Sequence, residues 1–254
     1  NRREPGGVTD EEVTALWIRR RGRVDGALLN FACHGVVMGP DNLALSADWI
    51  GAARTALFQK VPGVFPLVAV APSGNINPLP RSIRRQIKAQ GAAFFTNDPF
   101  SGIYDRTGGT FAEVAQMGEA IARAAVRTMG GAEAAPATAG VAAVTRTADI
   151  GRGRKRIPVR IRLVRVGPVA FVGMPGEQFA ETGLRVKAAA RALGLVPIVL
   201  SHAPALAYVP TPEAFAQNRK HDYEVEWARG MGMAEDAADR ELAAVVRGLR
   251  ALAR

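Results

Sequence analysis

The chain has 254 residues, 48% of them hydrophobic, which is enough to form one large folded domain. It contains no run of about 18 apolar residues, so we expect no membrane-spanning helix. Its single cysteine, Cys33, excludes an internal disulfide. The formal net charge of +10 favours anionic partners, either nucleic acid or a membrane surface.

The start of the sequence leaves the cellular compartment open. The first residue is Asn1 rather than methionine, and the residues after it lack the basic and apolar pattern of a secretory signal. We therefore expect an upstream part to be missing here. A secreted or periplasmic location and a cytoplasmic one are both compatible with a chain that uses no disulfide.

Short apolar runs alternate with helical patterns along the chain, which is typical of an α/β domain. In chain order, the patterns predict strands at 13–18 and 26–32, a helix at 48–59, a strand at 66–71, a helix at 111–129, strands at 159–166 and 169–174, a helix at 179–193, a strand at 197–200 and a helix at 235–252. The sequence GGAEAAPATAG at 130–140 predicts a flexible connection inside one domain that spans residues 1–254. The predicted fold is a single α/β domain with a layered mixed β-sheet flanked by helices.

The densest basic run, RGRKRIPVRIRLVR at 152–165, has two interpretations. Its second half alternates aliphatic residues with arginines, as does a strand with one buried and one solvated face. Alternatively, the run binds the acidic head groups of a membrane surface or nucleic acid. Nucleic acid is the weaker candidate, because no aromatic residues interleave with these arginines to stack on bases.

Polar residues at strand ends are the candidates for chemistry. The sequence has no HExxH, paired CxxC, Gly-x-Ser-x-Gly or GxxxxGK[ST] motif, which disfavours several common classes of hydrolase. His34 follows the apolar run ALLNFAC, and Glu177 follows VAFVGMPG. Because open α/β sheets bind ligands at the carboxyl ends of their strands, these two residues could hold one metal ion, and both suit Zn²⁺. The alternative for each is a structural role, as a hydrogen-bonded histidine or a helix cap.

Two further stretches could line a cleft. The sequence VAPSGNINPLP at 70–80 runs from a strand into a turn whose N–H groups and amide side chains could stabilise an oxyanion, or which is a plain loop. In ALAYVPTPEAF at 205–215, Tyr208 precedes two prolines that hold the chain extended. Its phenol could belong to the core, to a cleft wall or to a ligand set.

Five motifs in order resemble the amino-terminal catalytic domain of the neutral/alkaline non-lysosomal ceramidase family. They cover roughly residues 1 to 228. The first two are NRRE, which is similar to the family's Asn-Arg segment, and NFACHGVVMGPDNLALSADWIG, which resembles its histidine, Met-Gly and Ser-x-Asp segment. The others are GNINP, at the position of the family's GDxSP or GDxNP; GMPGE, which matches Pro-Gly-Glu; and AYVPTPEAF followed by DYEVEW, which resembles a Tyr-Val-x-Thr and Tyr-Glu pair.

This resemblance implies a zinc-dependent amidase of sphingolipid metabolism that cleaves the N-acyl bond of ceramide into a fatty acid and a sphingoid base. It implies that His34 and Glu177 are zinc ligands, and that Tyr208 is a third ligand or stabilises the tetrahedral intermediate. Arg2 falls where the family has a substrate-side arginine. Asn77 falls on the position of a catalytic serine.

Two departures bear on the implied activity. The family has a His-x-His element upstream of its Asn-Arg segment, and this chain has none; in GNINP, Asn75 and Asn77 stand where aspartate and serine are usual. An amide cannot act as a nucleophile, so the mechanism that remains is attack by metal-activated water, with Asn75, Asn77 and Tyr208 donating hydrogen bonds to the oxyanion. The substrate would be a lipid-like or N-acyl amide or ester. The alternative function is a catalytically impaired homologue that acts as a binding or structural domain.

Overall fold

The computed structural model describes residues 6–39, 42–90, 108–132, 140–202, 207–217 and 222–253. Its chain groups into two compact units. The first unit consists of Asn1–Gly7, Glu11–Ala69 and Ile76–Ala132, and the second consists of Val8–Asp10, Val70–Asn75 and Glu133–Arg254. Helices and strands are present in both units, which confirms the predicted α/β class. The prediction of a single domain stays a prediction.

A three-stranded sheet forms the strand layer of the first unit. Its order is β1 (Thr14–Arg20), β2 (Arg23–Phe31) and β3 (Phe65–Val70). The first two strands are antiparallel, and Arg20 pairs with Arg23 across a two-residue turn. Both turn residues, Arg21 and Gly22, have positive φ angles of 50° and 78°, as a type I′ hairpin turn requires.

The described part of the first unit also contains three α-helices, α1 (Asp48–Lys60), α2 (Arg81–Gln90) and α3 (Phe111–Thr128), and a 3₁₀ turn at Met129–Gly131. The backbones of α1 and α3 approach closely at Gly118, where an added Cβ atom would lie 2.5 Å from the backbone of Ala52. Thr110 and Glu113 form a capping box at the start of α3. The carboxylate of Glu113 also accepts hydrogen bonds from the backbone N–H and hydroxyl of Ser82, which fastens the first turn of α2 to that of α3.

The second unit contains the remaining strands and helices. Its strands are β4 (Val141–Asp149), β5 (Pro158–Val166), β6 (Val169–Pro175), β7 (Glu177–Gln178), β8 (Val196–His202) and β9 (Tyr208–Val209). Four of them form a mixed sheet in the order β4-β5-β6-β8, in which β6 and β8 are parallel and the other pairs antiparallel. Strands β7 and β9 form a separate parallel pair. The helices are α4 (Ala180–Arg191), α5 (Pro212–Gln217), α6 (Tyr223–Gly230) and α7 (Ala237–Leu252).

The main core of the second unit lies between its four-stranded sheet and the helices α4 and α7. Leu163 and Val172 from the sheet pack with Val186 of α4 and Leu249 of α7. On β5, buried Ile161 alternates with exposed arginines, so the solvated-strand interpretation of 152–165 is correct for this part of the run.

Each of the ten predicted elements is present with shifted ends. The sequence patterns did not predict β4, β7, β9, α2, α5 and α6. Of the predicted connection at 130–140, residues 133–139 lie outside the described residues. Within the described ranges, no helix has the length and apolar content that crossing a bilayer demands.

Candidate functional site

His34 lies three residues beyond the end of β2, in the first unit, and is half-buried. Its backbone N–H and its ring Nδ1 both lie 3.0 Å from the carbonyl oxygen of Ile76. Because a carbonyl oxygen can only accept, Nδ1 must carry the proton, and the neutral ring then keeps its lone pair on Nε2. A histidine fixed in this way by a backbone carbonyl is typical of metal ligands.

The loop after His34 is held by the residues that begin α1. Asp48 is buried, and its carboxylate accepts hydrogen bonds from the backbone N–H groups of Val37, at 3.1 Å, and Met38, at 2.9 Å. Asp48 has a φ of 51°, a left-handed conformation that costs energy outside glycine. The indole N–H of the fully buried Trp49 donates to the carbonyl oxygen of His34 at 2.8 Å. Both backbone groups of His34 are therefore hydrogen-bonded, its N–H to Ile76 and its carbonyl oxygen to Trp49.

Asn77 also belongs to the first unit and is half-buried beside Ile76. No hydrogen bond joins its side chain to another residue of the described ranges. The boundary between the units falls inside GNINP, because Gly74 and Asn75 belong to the second unit. The predicted catalytic role of Asn77 stays a prediction.

Gly74 and Asn75 join the GNINP turn to the start of α4. Gly74 donates its N–H to the carbonyl oxygen of Gln178 at 2.7 Å, and an added Cβ atom at Gly74 would collide with the carbonyl oxygen of Glu177. The Asn75 amide nitrogen donates to the Glu181 carboxylate at 2.9 Å, and its oxygen accepts from the N–H of Ala180 at 2.9 Å. Asn75 thus caps the start of α4. The sequence interpretation predicted only a role as an oxyanion donor and did not foresee this structural one.

Glu177 and Tyr208 are brought together by the second unit. They are partners in the parallel register of β7 and β9, and the Glu177 N–H donates to the carbonyl oxygen of Ala207 at 3.0 Å. Gly176, with a φ of 74°, turns the chain between β6 and β7. The two residues come from separate sequence motifs, and the pairing makes them neighbours.

Burial raises the pKa of Tyr208 to about 12. The hydrogen bond with Tyr223 acts in the opposite direction, and the carboxylates of Glu177 and Glu224 raise the pKa further, the former also through a hydrogen bond with the phenol. The hydroxyl oxygens of Tyr208 and Tyr223 are 3.3 Å apart, and their rings meet edge to face with centroids 5.3 Å apart. At neutral pH, Tyr208 therefore carries its proton and is a hydrogen-bond donor beside Glu177.

A buried polar pair behind β7 was missed by the sequence interpretation. The side-chain amide of Gln178 donates to the Glu241 carboxylate of α7 at 2.9 Å and to the carbonyl oxygen of Pro175 at 2.6 Å. Burial raises the pKa of Glu241 to about 8, although the hydrogen bond from Gln178 lowers it. The only sequence signal was an acidic residue on the apolar side of a predicted helix, between Ala237 and Leu249.

The predicted metal ligands fit zinc in kind, and the described part of the chain does not supply a full set. His34 offers an imidazole nitrogen, and Glu177 offers a carboxylate. Within the described ranges, no group of three or more histidine, cysteine, aspartate or glutamate residues is arranged to hold a metal ion. His34 belongs to the first unit and Glu177 to the second, so their sharing of one ion stays a prediction. Arg2 lies outside the described residues.

Two solved structures similar to this chain are ceramidases. A neutral ceramidase from Pseudomonas aeruginosa matches 96% of this chain with a TM-score of 0.68 and 18% sequence identity, and the match covers 47% of that protein. A ceramidase in complex with C2 matches 98% of this chain with a TM-score of 0.66 and 16% identity, and the match covers 50% of that protein. The chain thus has a ceramidase-like fold and spans about half the length of these structures. No protein-family model matches it, and no curated protein matches it significantly.

Proposed function

We propose that this chain is a zinc-dependent hydrolase that cleaves the N-acyl amide bond of ceramide, or of a related lipid amide or ester. The ceramidase-like fold over nearly the whole chain supports this function. The substrate would be a lipid with one acyl chain joined through an amide or ester, which assigns the protein to sphingolipid or related lipid metabolism.

The observation that carries the proposal is the pairing of Glu177 with Tyr208. A carboxylate and a neutral phenol lie side by side at the end of a parallel strand pair. The phenol stands next to the carboxylate in the strand pairing, and a hydrogen-bond donor in that position would orient a metal-binding carboxylate. When an acyl substrate is bound, the same O–H could be redirected to the carbonyl oxygen, where negative charge develops.

The other residues have roles consistent with their local contacts. His34 would bind zinc through Nε2, since Nδ1 is committed to the carbonyl oxygen of Ile76. Glu177 would be a second ligand. Asn77 would donate its amide N–H to the oxyanion, where one lost donor costs roughly 3 kcal/mol in barrier height, and Arg2 would bind the substrate. Bound zinc would supply a Lewis acid that polarises the acyl carbonyl and activates the attacking water.

Zinc content is the first test of this proposal. We expect the purified chain to bind zinc, at no more than about one ion per molecule, measured by elemental analysis after dialysis, as for a single hydrolytic centre. His34→Ala and Glu177→Gln should each weaken zinc binding, whereas Glu226→Gln, which removes an exposed carboxylate from the same unit as Glu177, should not. Full zinc occupancy in His34→Ala would remove His34 from the ligand set.

Hydrolysis is the second test. The zinc-loaded chain is assayed with N-acyl sphingosines and simple fatty amides and esters, and the released fatty acid is measured by mass spectrometry. Loss of one oxyanion donor in Asn77→Ala or Tyr208→Phe should lower kcat by about 100-fold or more with a smaller change in KM. Inactivity of the zinc-loaded chain toward every substrate would overturn the proposed activity in favour of a non-catalytic relative.

A further inference from the structure

Two leucines near His34 have unusually exposed side chains. Leu43 is 98% exposed and Leu45 is fully exposed, on the segment between β2 and α1. We call residues 42–47 the leucine loop. Asn42 shapes its first turn, because its side chain donates to the carbonyl oxygen of Ala44 at 2.8 Å and accepts from the N–H of the same residue at 3.2 Å. Single exposed aliphatic side chains are common on protein surfaces, whereas two almost fully exposed leucines on one loop are a candidate binding surface.

The segment that leads into the leucine loop is fastened to the first unit. Its N–H groups at Val37 and Met38 donate to the buried Asp48 carboxylate, and the carbonyl oxygen of Val37 accepts from the N–H of Gly109 at 2.6 Å. Gly109 directly precedes the capping box of α3. The segment that carries the leucines is therefore held at both ends, by Val37 and Met38 before it and by Asp48 after it.

Helix α2 carries a cationic face attached to the same place. Arg81, Arg84, Arg85 and Lys88 follow the i, i+3, i+4, i+7 spacing of one helical face, and all four are exposed. Like charges at this spacing destabilise a helix, and cations in its first turn oppose the helix dipole. An anionic partner bound to this face would offset the repulsion between the four cations.

The cationic face and the leucine loop are linked through the contacts around His34. The hydrogen bonds of Ser82 to Glu113 fasten α2 to the start of α3, whose neighbour Gly109 binds Val37. The chain also runs from Ile76, the hydrogen-bond partner of His34, straight to α2. The leucine loop and the cationic face thus lie on segments whose flanking residues, Val37 and Ile76, are tied to the surroundings of His34.

We propose that the leucine loop and the cationic face of α2 dock the protein on an anionic phospholipid bilayer. The leucines would enter the boundary between head groups and acyl chains while the cations contact anionic head groups, as in interfacial amphipathic segments. Aliphatic tips favour a bilayer over a nucleic acid, which would call for aromatic stacking. This inference rests on the proposed function, since a lipid amide is found in a bilayer and would be met there beside His34.

The test is binding of the full chain to vesicles of phosphatidylcholine with and without phosphatidylserine, measured by flotation. Leu43→Ser with Leu45→Ser should lower the partition coefficient at least about tenfold, because two aliphatic side chains no longer leave water. Arg85→Gln with Lys88→Gln should lower it about tenfold or more on phosphatidylserine vesicles at low salt, and little on phosphatidylcholine alone. Matched controls in the second unit are Val141→Ser, which is 71% exposed, and Arg160→Gln with Arg162→Gln.

Each outcome decides the proposal. Loss of vesicle binding in the loop and α2 variants, with binding retained in both controls, supports it. Three results would overturn it. The first is unchanged vesicle binding in the Leu43 and Leu45 variant, and the second is loss of vesicle binding in the Arg160 and Arg162 control instead. The third is binding to single-stranded DNA without binding to vesicles. Hydrolysis of a water-soluble short-chain amide by the unmodified chain is measured in parallel. Failure there, with vesicle docking as expected, would overturn the proposed activity and leave the docking surface intact.

Discussion

Replacing Glu241 with glutamine should remove a pH dependence that this buried carboxyl imposes on stability. Burial raises the pKa of Glu241 from 4.5 to about 8. The raised pKa means that the folded state holds a proton that the unfolded state releases, so the contribution to stability is full below pH 4.5 and is lost as pH rises to 8. At about 1.36 kcal/mol per pH unit, the loss across this window is about 5 kcal/mol. Within the described residues, one carboxylate oxygen receives the Gln178 amide and the other has no hydrogen-bond partner.

The assay is urea unfolding of the wild type and Glu241→Gln at intervals between pH 4.5 and 9. The glutamine oxygen can still accept from Gln178, so the variant should fold, and its free energy of unfolding should gain on the wild type as pH rises. The quantity to compare is the difference in free energy of unfolding between the two proteins at each pH, because the other titrating groups contribute equally to both. Glu226→Gln, which is at an exposed position of the same unit, reports the general effect of removing a carboxylate. Parallel curves for wild type and Glu241→Gln would refute the reasoning.

Two further predictions concern packing and loop structure. In urea unfolding, Gly118→Ala should lower the free energy of unfolding by about 1–3 kcal/mol, because the added Cβ atom would lie 2.5 Å from the backbone of Ala52. This cost outweighs the higher helix propensity of alanine. Gly130→Ala is the control and should have little effect, because no atom lies within 4 Å of its added Cβ atom. Asp48→Ala should cost about 3 kcal/mol, because two backbone N–H groups after His34 lose their acceptor and alanine takes over a positive φ. A cost below about 0.5 kcal/mol, the usual range for surface changes, would show that this carboxylate does not hold the loop.

The elements that the sequence predicted have strong apolar patterns. Strand β5 could be predicted because aliphatic residues and arginines alternate along it. Its partner β4 could not, because its inward positions include Ala142, Arg146 and Ala148, which give little contrast with the outward ones. It is a strand because it pairs with β5 along its whole length. Helix α2 was missed for a similar reason, since Ile83 and Ile87 are its only large apolar residues.

The candidate site was predicted one strand end at a time. The apolar runs before His34 and Glu177 are enough to predict that each follows a strand, and β2 and β6 end just before them. The contact of Glu177 with Tyr208 depends on the parallel register of β7 and β9, which no local pattern encodes. The same holds for Gln178 and Glu241, which are 63 residues apart and meet only in the folded unit.

The two parallel strand pairs of the second unit have an evolutionary consequence. Pairing of β6 with β8 ends at Pro175 and His202, and parallel pairing resumes when Glu177 meets Tyr208. The pairing of β7 with β9 sets its own register. Insertions or deletions in the sequence between β8 and β9 could therefore be tolerated while Glu177 and Tyr208 stay paired. Selection could thus vary the length of that stretch while the pairing of Glu177 with Tyr208 is inherited unchanged.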